Sequence, residues 1–127
     1  MRYLGIDYGE KRIGVAISDE GGSFSFPYSV VVNDKNAISK ICGIIQKENI
    51  AEVALGLPQN FGRQDTKATG RVRAFAEELK KASSVPVVLV DETLSTAEVI
   101  KSGAAPDRMR DAAAAALILR TYLGLKK

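Results

Sequence analysis

The 127-residue chain contains no histidine and a single cysteine. Without histidine it cannot assemble the usual zinc sites, nor the Ser-His-Asp and Cys-His arrangements that activate a nucleophile. Cys42 cannot form an internal disulfide, and its place on the apolar face of a helical segment predicts a small core residue. If the chain is an enzyme, carboxylates and a metal ion must therefore carry most of its chemistry.

Long hydrophobic runs are also absent. The longest have the length of a strand, well short of the roughly 20 residues that a membrane helix requires, and the N-terminus lacks a basic-then-apolar signal pattern. We therefore expect a cytoplasmic protein without a membrane partner. The length, with no internal repeat and no linker, predicts one domain over residues 1–127. The net charge of +3 slightly favours an anionic partner such as nucleic acid.

Asp7 stands where a core strand should be uniformly apolar, in the run YLGIDYG over residues 3–9. An ionised carboxylate inside a sheet is costly unless a positive charge pairs with it. Two further acids lie at the ends of other elements: Glu92 follows an apolar run, and Asp111 precedes five alanines. Three acids at strand and helix ends, far apart in sequence, predict a magnesium site.

Each of these acids also has a structural interpretation. Asp7 could bind backbone N–H groups of a tight hairpin, Asp91 and Glu92 could solvate a strand end, and Asp111 could complement a helix dipole. Neighbouring strand residues point to opposite faces of a sheet, so at most one of Asp91 and Glu92 should reach a given site. We select Glu92, and we assign Asp107 to the helix cap.

The pattern of apolar residues predicts nine elements in the order βββαβαβαα. Strands are predicted over 2–8, 12–18 and 24–32, with alternation in the second and with Pro27 favouring an edge position for the third. Helical periodicity, with Asn33 or Asp34 as the expected cap, follows to about residue 48. It is followed by a strand over 53–57, a helix from about residue 68 and a strand from residue 87. A capping box at Ser95 opens a short helix, and the last helix begins near residue 106. The result is a mixed five-stranded sheet, three antiparallel strands then two parallel, flanked by helices with strand one in the centre, which resembles the ribonuclease H-like fold.

The hairpin motif Gly5-Ile6-Asp7-Tyr8-Gly9 is similar to one shared by ribonuclease H-like nucleases, actin-like ATPases and sugar kinases. Gly9 and Gly14 have the spacing of a P-loop, but Val15-Ala16 stands where Lys and Ser or Thr are needed, so a Walker motif is excluded. An actin-like ATP-binding module ranks last, because 127 residues leave no second lobe to close over a nucleotide.

Four motifs along the whole chain resemble the YqgF family, also called RuvX, of small bacterial ribonuclease H-like proteins. They are the segment 5–16 around Asp7, the segment GLPQN at 56–60, the segment DETLST at 91–96, and the segment from Asp111 to residue 119. Members are described as pre-16S rRNA nucleases and as Holliday junction resolvases. One departure is Thr93, which stands where the family usually has arginine.

By that resemblance Asp7, Glu92 and Asp111 correspond to the family's catalytic acids. They would hold two Mg²⁺ or Mn²⁺ ions, about 3.5–4 Å apart in sites of this type, for metal-assisted phosphodiester hydrolysis. The implied reaction is 5′ maturation of precursor 16S ribosomal RNA, leaving a 5′-phosphate and a 3′-hydroxyl. The alternatives are a Holliday junction resolvase and a ribosome-assembly or nucleic-acid-binding factor without catalysis.

Nucleic-acid contacts are assigned to residues beside the hairpin turn and around the second helix. Basic runs are also typical of solvated surfaces, so a purely structural role stays open for these residues, which are Lys11, Arg12, Asn60, Arg63, Lys67 and Arg71. The small ribosomal subunit is a further expected partner. Because the apolar helix positions are used in covering the sheet, we expect a monomer or a weak dimer.

Overall fold

The computed structural model of the protein describes residues 1–58, 67–92 and 107–125. Within these ranges the chain forms five strands and three helices. In chain order they are β1 (Arg2–Tyr8), β2 (Arg12–Ser18), β3 (Ser25–Val32), α1 (Ala37–Lys47), β4 (Ile50–Pro58), α2 (Lys67–Ser83), β5 (Val87–Glu92) and α3 (Asp107–Leu125). The short helix predicted after Ser95 lies outside the described residues.

The strands form one mixed sheet in the order β3-β2-β1-β4-β5. Pairing is antiparallel between β1, β2 and β3, and parallel from β1 to β4 and from β4 to β5. The predicted sheet with a central first strand is therefore confirmed. Pro27 lies on the edge strand β3, opposite a register shift between Val15 and Ala16, where its missing N–H removes no bond from the sheet interior.

One face of the sheet is covered by α1 and α2 through large aliphatic side chains. Because strand side chains alternate between faces, every second residue of β1, β2 and β4 contributes to this core. Its fully buried strand residues include Leu4, Ile6, Ile13, Val15 and Leu55. We call this the aliphatic face.

Among the described elements, α3 covers the other face, where small residues of the strands lie against its backbone. The strand residues on this face include Gly5, Gly14, Ala16 and Ala54, and the alanine run of α3 packs against them. A Cβ atom placed on Gly5 would lie 2.6 Å from Cβ of Leu119 and 2.7 Å from the Ala115 carbonyl oxygen. The helix backbone therefore lies closer to the sheet than larger side chains would permit. We call this the close-packed face.

The connection from β3 to α1 corrects one detail of the sequence analysis, which expected Asn33 or Asp34 as the helix cap. The N-cap residue is Asn36, and the backbone N–H of Asn36 donates a hydrogen bond of 2.8 Å to Asp34 Oδ1. The Asn33 side chain instead donates from Nδ2 to the Gly9 carbonyl oxygen at 2.7 Å. Asn33 thus ties the β1–β2 turn to the end of β3.

Cys42 packs against the aliphatic core, as its periodicity predicts. Burial raises the pKa of the Cys42 thiol, which disfavours the reactive thiolate.

None of the helices in the described ranges is long and apolar enough to cross a membrane.

Candidate active site

Asp7 lies near the carboxyl end of the central strand β1 and is only 3% exposed. Its neighbours Ile6 and Tyr8 belong to the aliphatic face. Strand alternation therefore places Asp7 on the close-packed face, in line with Tyr3 and Gly5. Its partner across the antiparallel pair is Gly14.

Asp111 reaches the same place from α3. A Cβ atom on Gly14 would lie 1.8 Å from the Asp111 carbonyl oxygen and 2.2 Å from its carbonyl carbon, so no side chain fits between them. The first turns of α3 thus press directly on β2 beside Asp7. Since directly opposed residues of an antiparallel pair share a face, the packing at Gly14 brings Asp7 and Asp111 together.

The Asp111 carboxylate contacts Arg12, one of the residues predicted to bind nucleic acid. Arg12 Nε donates to Asp111 Oδ2 at 3.0 Å, the Asp111 side chain being 16% exposed and the Arg12 side chain 58%. Arg12 stands two residues before Gly14 on β2, on the same side of the strand. The carboxylate therefore extends toward the β1–β2 turn, at the carboxyl end of β1.

Glu92 is the last residue of β5, where its Cα pairs with that of Pro58. Val88 and Val90 of this strand pack with α3, so alternation assigns position 92 to the close-packed face and position 91 to the other. Ile6 of β1 is aligned with Leu55 of β4, which is aligned with Leu89 of β5. Position 92 therefore lies two strands away from Asp7 and two residues further along the strand direction. The corresponding distance between the two Cα atoms is about 12 Å. The side chains at positions 91 and 92 lie outside the description.

The predicted nucleic-acid contacts divide into three groups. Lys11 and Arg12 are exposed at the turn that follows β1, beside Asp7. Arg71 of α2 lies near the same turn and forms an ion pair with Glu10, both side chains being at least half exposed. Lys67 is the first residue of α2, with an undescribed side chain, and Arg63 and Asn60 lie outside the described residues.

The chemistry of these donors fits a hard divalent cation. Carboxylate oxygens are the ligands that Mg²⁺ and Mn²⁺ prefer. Carboxylates that lie close together repel each other, and a cation relieves this repulsion. Across the side chains that are described, no three His, Cys, Asp or Glu residues form a metal-binding group. Asp7 and Asp111 are two predicted ligands whose backbones both lie against Gly14.

Gly5 and Gly14 both lie where α3 touches the sheet, a role that the sequence motifs did not indicate. The available signal was a set of small residues at alternate strand positions, opposite an alanine-rich helix. The ion pair that Glu10 makes with Arg71 was also not anticipated, since nothing in the sequence links residues 61 positions apart.

The family model described as "RuvX: Holliday junction resolvase" matches residues 1–125. A protein named "Putative pre-16S rRNA nuclease" from Maridesulfovibrio salexigens is 38% identical over 132 residues, covering 97% of this chain and 98% of that relative. A protein of the same name from Rickettsia conorii is 36% identical, covering 94% of this chain and 84% of that relative. These names agree with the nuclease that the sequence analysis predicts.

Two solved structures confirm the ribonuclease H-like fold at low sequence identity. Thermus thermophilus RuvC in complex with a Holliday junction substrate is 18% identical, with a TM-score of 0.62 over 99% of this chain and 96% of that one. Fowlpox virus resolvase in complex with Holliday junction DNA is 14% identical, with a TM-score of 0.60 over 99% of both chains. Taken with the full-length family match, the sequence and the fold agree: the chain belongs to the RuvX family.

Proposed function

We propose that this protein is a metal-dependent nuclease that hydrolyses phosphodiester bonds, with Asp7, Glu92 and Asp111 as its catalytic acids. The observation that supports this most is the burial of Asp7 at the end of the central strand, beside the point where Asp111 presses on Gly14. In the structure Arg12 pairs with the Asp111 carboxylate, and a cation bound by both acids would offset the repulsion between them.

The chain's contribution to catalysis is to hold oxygen ligands in place. Asp7 is held because β1 is paired on both sides, and Asp111 is held because the backbone of α3 already lies against Gly14 of β2. With Glu92, these residues would hold Mg²⁺ or Mn²⁺, in a pair of ions as the family resemblance implies. When bound, such ions activate a water molecule and stabilise the leaving oxygen. The absence of histidine from the chain fits this division of work.

Substrate would approach from the end of the sheet where β1 terminates. Lys11, Arg12 and Arg71 expose positive charge there, and with Arg63, Lys67 and Asn60 they would hold the sugar-phosphate backbone. Contacts of this kind position a nucleic acid and do not read its sequence. Hydrolysis would break the bond between phosphorus and the 3′ oxygen, leaving a 5′-phosphate and a 3′-hydroxyl.

The substrate that we favour is precursor 16S ribosomal RNA, processed at its 5′ end in the cytoplasm in association with the small ribosomal subunit. The names of the relatives support this choice. Junction resolution is the second candidate, which the description of the family model favours. Resolution needs paired cuts on opposing strands, and therefore a twofold dimer with two sites at a fixed spacing.

The oligomeric state distinguishes these two substrates, and we predict a monomer or a weak dimer. The large exposed apolar side chains at the sheet edge are Phe24, just before β3, and Phe26 and Val32 within it. A dimer through this edge would bury them. Light scattering at micromolar concentration, with Phe26→Glu as the matched variant, tests this: a stable wild-type dimer that Phe26→Glu dissociates contradicts our prediction and favours the resolvase.

The decisive experiment compares cleavage of end-labelled precursor RNA, single-stranded DNA and four-way junction DNA with Mg²⁺, with Mn²⁺ and with EDTA. We expect metal-dependent cleavage of RNA that exceeds junction cutting. Asp7→Asn, Glu92→Gln and Asp111→Asn should abolish it, whereas Asp107→Asn should not. Symmetric paired nicks in the junction would show that the protein resolves junctions and would contradict RNA processing as its function. Tight RNA binding without cleavage under any of these conditions would indicate a non-catalytic assembly factor.

A further inference from the structure

Arg12 is the one predicted substrate ligand whose side chain is already engaged by a proposed catalytic acid in the described part of the chain. Its Nε lies 3.0 Å from Asp111 Oδ2, and the Asp111 carboxylate is largely buried while the guanidinium is more than half exposed. Arg12, Gly14 and Asp111 lie on one face, because Arg12 and Gly14 share the alternation of β2. The arginine therefore stands between the acids and the solvent from which a phosphate would arrive.

The Asp111 carboxylate has two competing uses. In the ion pair, Asp111 Oδ2 accepts from Arg12; in the nuclease that we propose, the same carboxylate supplies oxygen to a divalent cation. A carboxylate has enough lone pairs for both partners, but a guanidinium and a divalent cation held on one carboxylate would repel each other. Cation binding should therefore weaken or break the contact with Arg12.

The released guanidinium has an obvious second partner. It is planar, always charged and shaped for two parallel hydrogen bonds to a phosphate group. Because it is anchored on β2 beside Asp7 and is exposed, a phosphate placed at the acids lies within its reach. Arg12 would thus hold the site's negative charge in the metal-free protein and hold the substrate's negative charge once the cation is bound.

We propose that Arg12 exchanges partners, from the Asp111 carboxylate in the metal-free protein to a substrate phosphate in the metal-bound protein, so that metal binding and nucleic-acid binding are coupled through this side chain. This inference rests on the proposed function, since it needs a cation at Asp111. It makes Arg12 different in kind from Arg71, whose ion pair with Glu10 involves two exposed side chains away from the acids. Arg71 is therefore the matched control.

The first test measures Mn²⁺ affinity by calorimetry, with the metal alone, for wild type, Arg12→Gln and Arg71→Gln. Exposed ion pairs are worth about 0.2–1 kcal/mol, so loss of the competing arginine should tighten Mn²⁺ binding up to about fivefold. Arg71→Gln should change the affinity much less, and in an Asp111→Asn background Arg12→Gln should lose most of its effect. Unchanged or weaker Mn²⁺ binding by Arg12→Gln would overturn the exchange, while no Mn²⁺ binding by the wild type would overturn the metal nuclease as well.

The second test measures how the affinity for a single-stranded oligonucleotide depends on salt, in EDTA and in Ca²⁺, with the oligonucleotide checked to be uncut. Each phosphate contact contributes about 0.7 to the slope of log K against log salt for single strands. Arg12→Gln should reduce the slope by about that amount in Ca²⁺ and leave it unchanged in EDTA. Arg71→Gln should act equally in both. The same loss for Arg12→Gln in EDTA and in Ca²⁺ would show that Arg12 is a constant phosphate ligand and would overturn the exchange.

Discussion

The two faces of the sheet are packed with different kinds of side chain, and only one of them holds the proposed acids. The aliphatic face is filled by Leu, Ile, Val and Phe side chains from β1, β2, β4, α1 and α2. The close-packed face places glycine and alanine of the central strands, with Tyr3 and Val90 beside them, against α3, and it holds the buried carboxylate Asp7. Large side chains keep elements apart and stabilise them by apolar burial, whereas small ones let backbones touch.

The difference shows how an acid from one end of the chain meets an acid from the other. Asp7 and Asp111 are separated by more than a hundred residues, and they meet because Gly14 allows α3 to rest on β2. We therefore treat the aliphatic face as the source of stability and the close-packed face as the source of activity. Substitutions on the two faces test this division.

Neutralising Asp7 should separate activity from stability. Asp7→Asn should lower the rate of metal-dependent cleavage at least about 10³-fold, equivalent to about 4 kcal/mol of transition-state stabilisation. Since it removes one of two repelling carboxylates, its melting temperature in metal-free buffer should be equal to or above that of the wild type. The control is Asp107→Asn, one helical turn before Asp111, which should keep most of the rate. A large fall in the melting temperature of Asp7→Asn would assign this aspartate to structure.

The preceding residue should give the opposite result. Ile6 is fully buried on the aliphatic face, and Ile6→Ala should lower the free energy of unfolding by about 3 kcal/mol, as typical for large-to-small changes in a core. Urea unfolding followed by circular dichroism measures this loss. The fraction that remains folded should still cleave at the wild-type rate per folded molecule. If Asp7→Asn and Ile6→Ala both reduced mainly the cleavage rate, or both reduced mainly the stability, the proposed difference between the two faces would be wrong.

The close approach at Gly14 has a quantitative test. Gly14→Ala places a methyl group against the Asp111 backbone, and the resulting displacement of α3 should cost about 2–3 kcal/mol together with most of the activity. The matched control is Gly43→Ala in α1, where an added Cβ meets no atom within 4 Å. That change should stabilise the protein by about 0.5–1 kcal/mol through helix propensity. A harmless Gly14→Ala would mean that α3 does not position Asp111 through this contact.

A smaller effect is expected at the rim of the aliphatic face. The Tyr28 hydroxyl donates to Glu48 Oε2 at 2.9 Å, and this hydrogen bond raises the pKa of Tyr28 above 10.0. Tyr28→Phe should cost about 1 kcal/mol of unfolding free energy near neutral pH and no activity. Because the folded protein favours the neutral phenol, this contribution is present below pH 10 and is lost as pH rises through the folded-state pKa. Unfolding by urea from pH 8 to 11.5 should show the difference between wild type and Tyr28→Phe shrinking at the alkaline end.

Much of the fold was predictable because its signals are local. Alternation in β2, the helical segments between the later strands and the position of Pro27 predicted the mixed sheet and its edge, which the structure shows. The isolated Asp7 in an apolar run is the signal for the proposed site. Alternation allows only one of Asp91 and Glu92 to reach the site. The choice of Glu92 stays a prediction, since the described side chains do not include it.

What the sequence concealed are contacts between distant segments. The spacing of glycines in a hairpin does not reveal that a helix more than ninety residues later will rest on one of them. In the same way, the positive charge of Arg12 and Arg71 predicted a phosphate-binding surface, but not that each would pair with an acid, Asp111 in one case and Glu10 in the other. Such pairings depend on how helices dock, which residue type and period do not specify.

The most direct test of the metal site is to locate the ion itself. Crystals of the wild-type protein grown with Mn²⁺ should show an anomalous difference peak on the close-packed face, with oxygen atoms of Asp7 and Asp111 at bonding distance and Glu92 completing the site. The same experiment with Asp7→Asn should lose the peak while leaving the sheet and α3 in place. Mn²⁺ bound elsewhere in the wild type, with none at Asp7, would contradict the account.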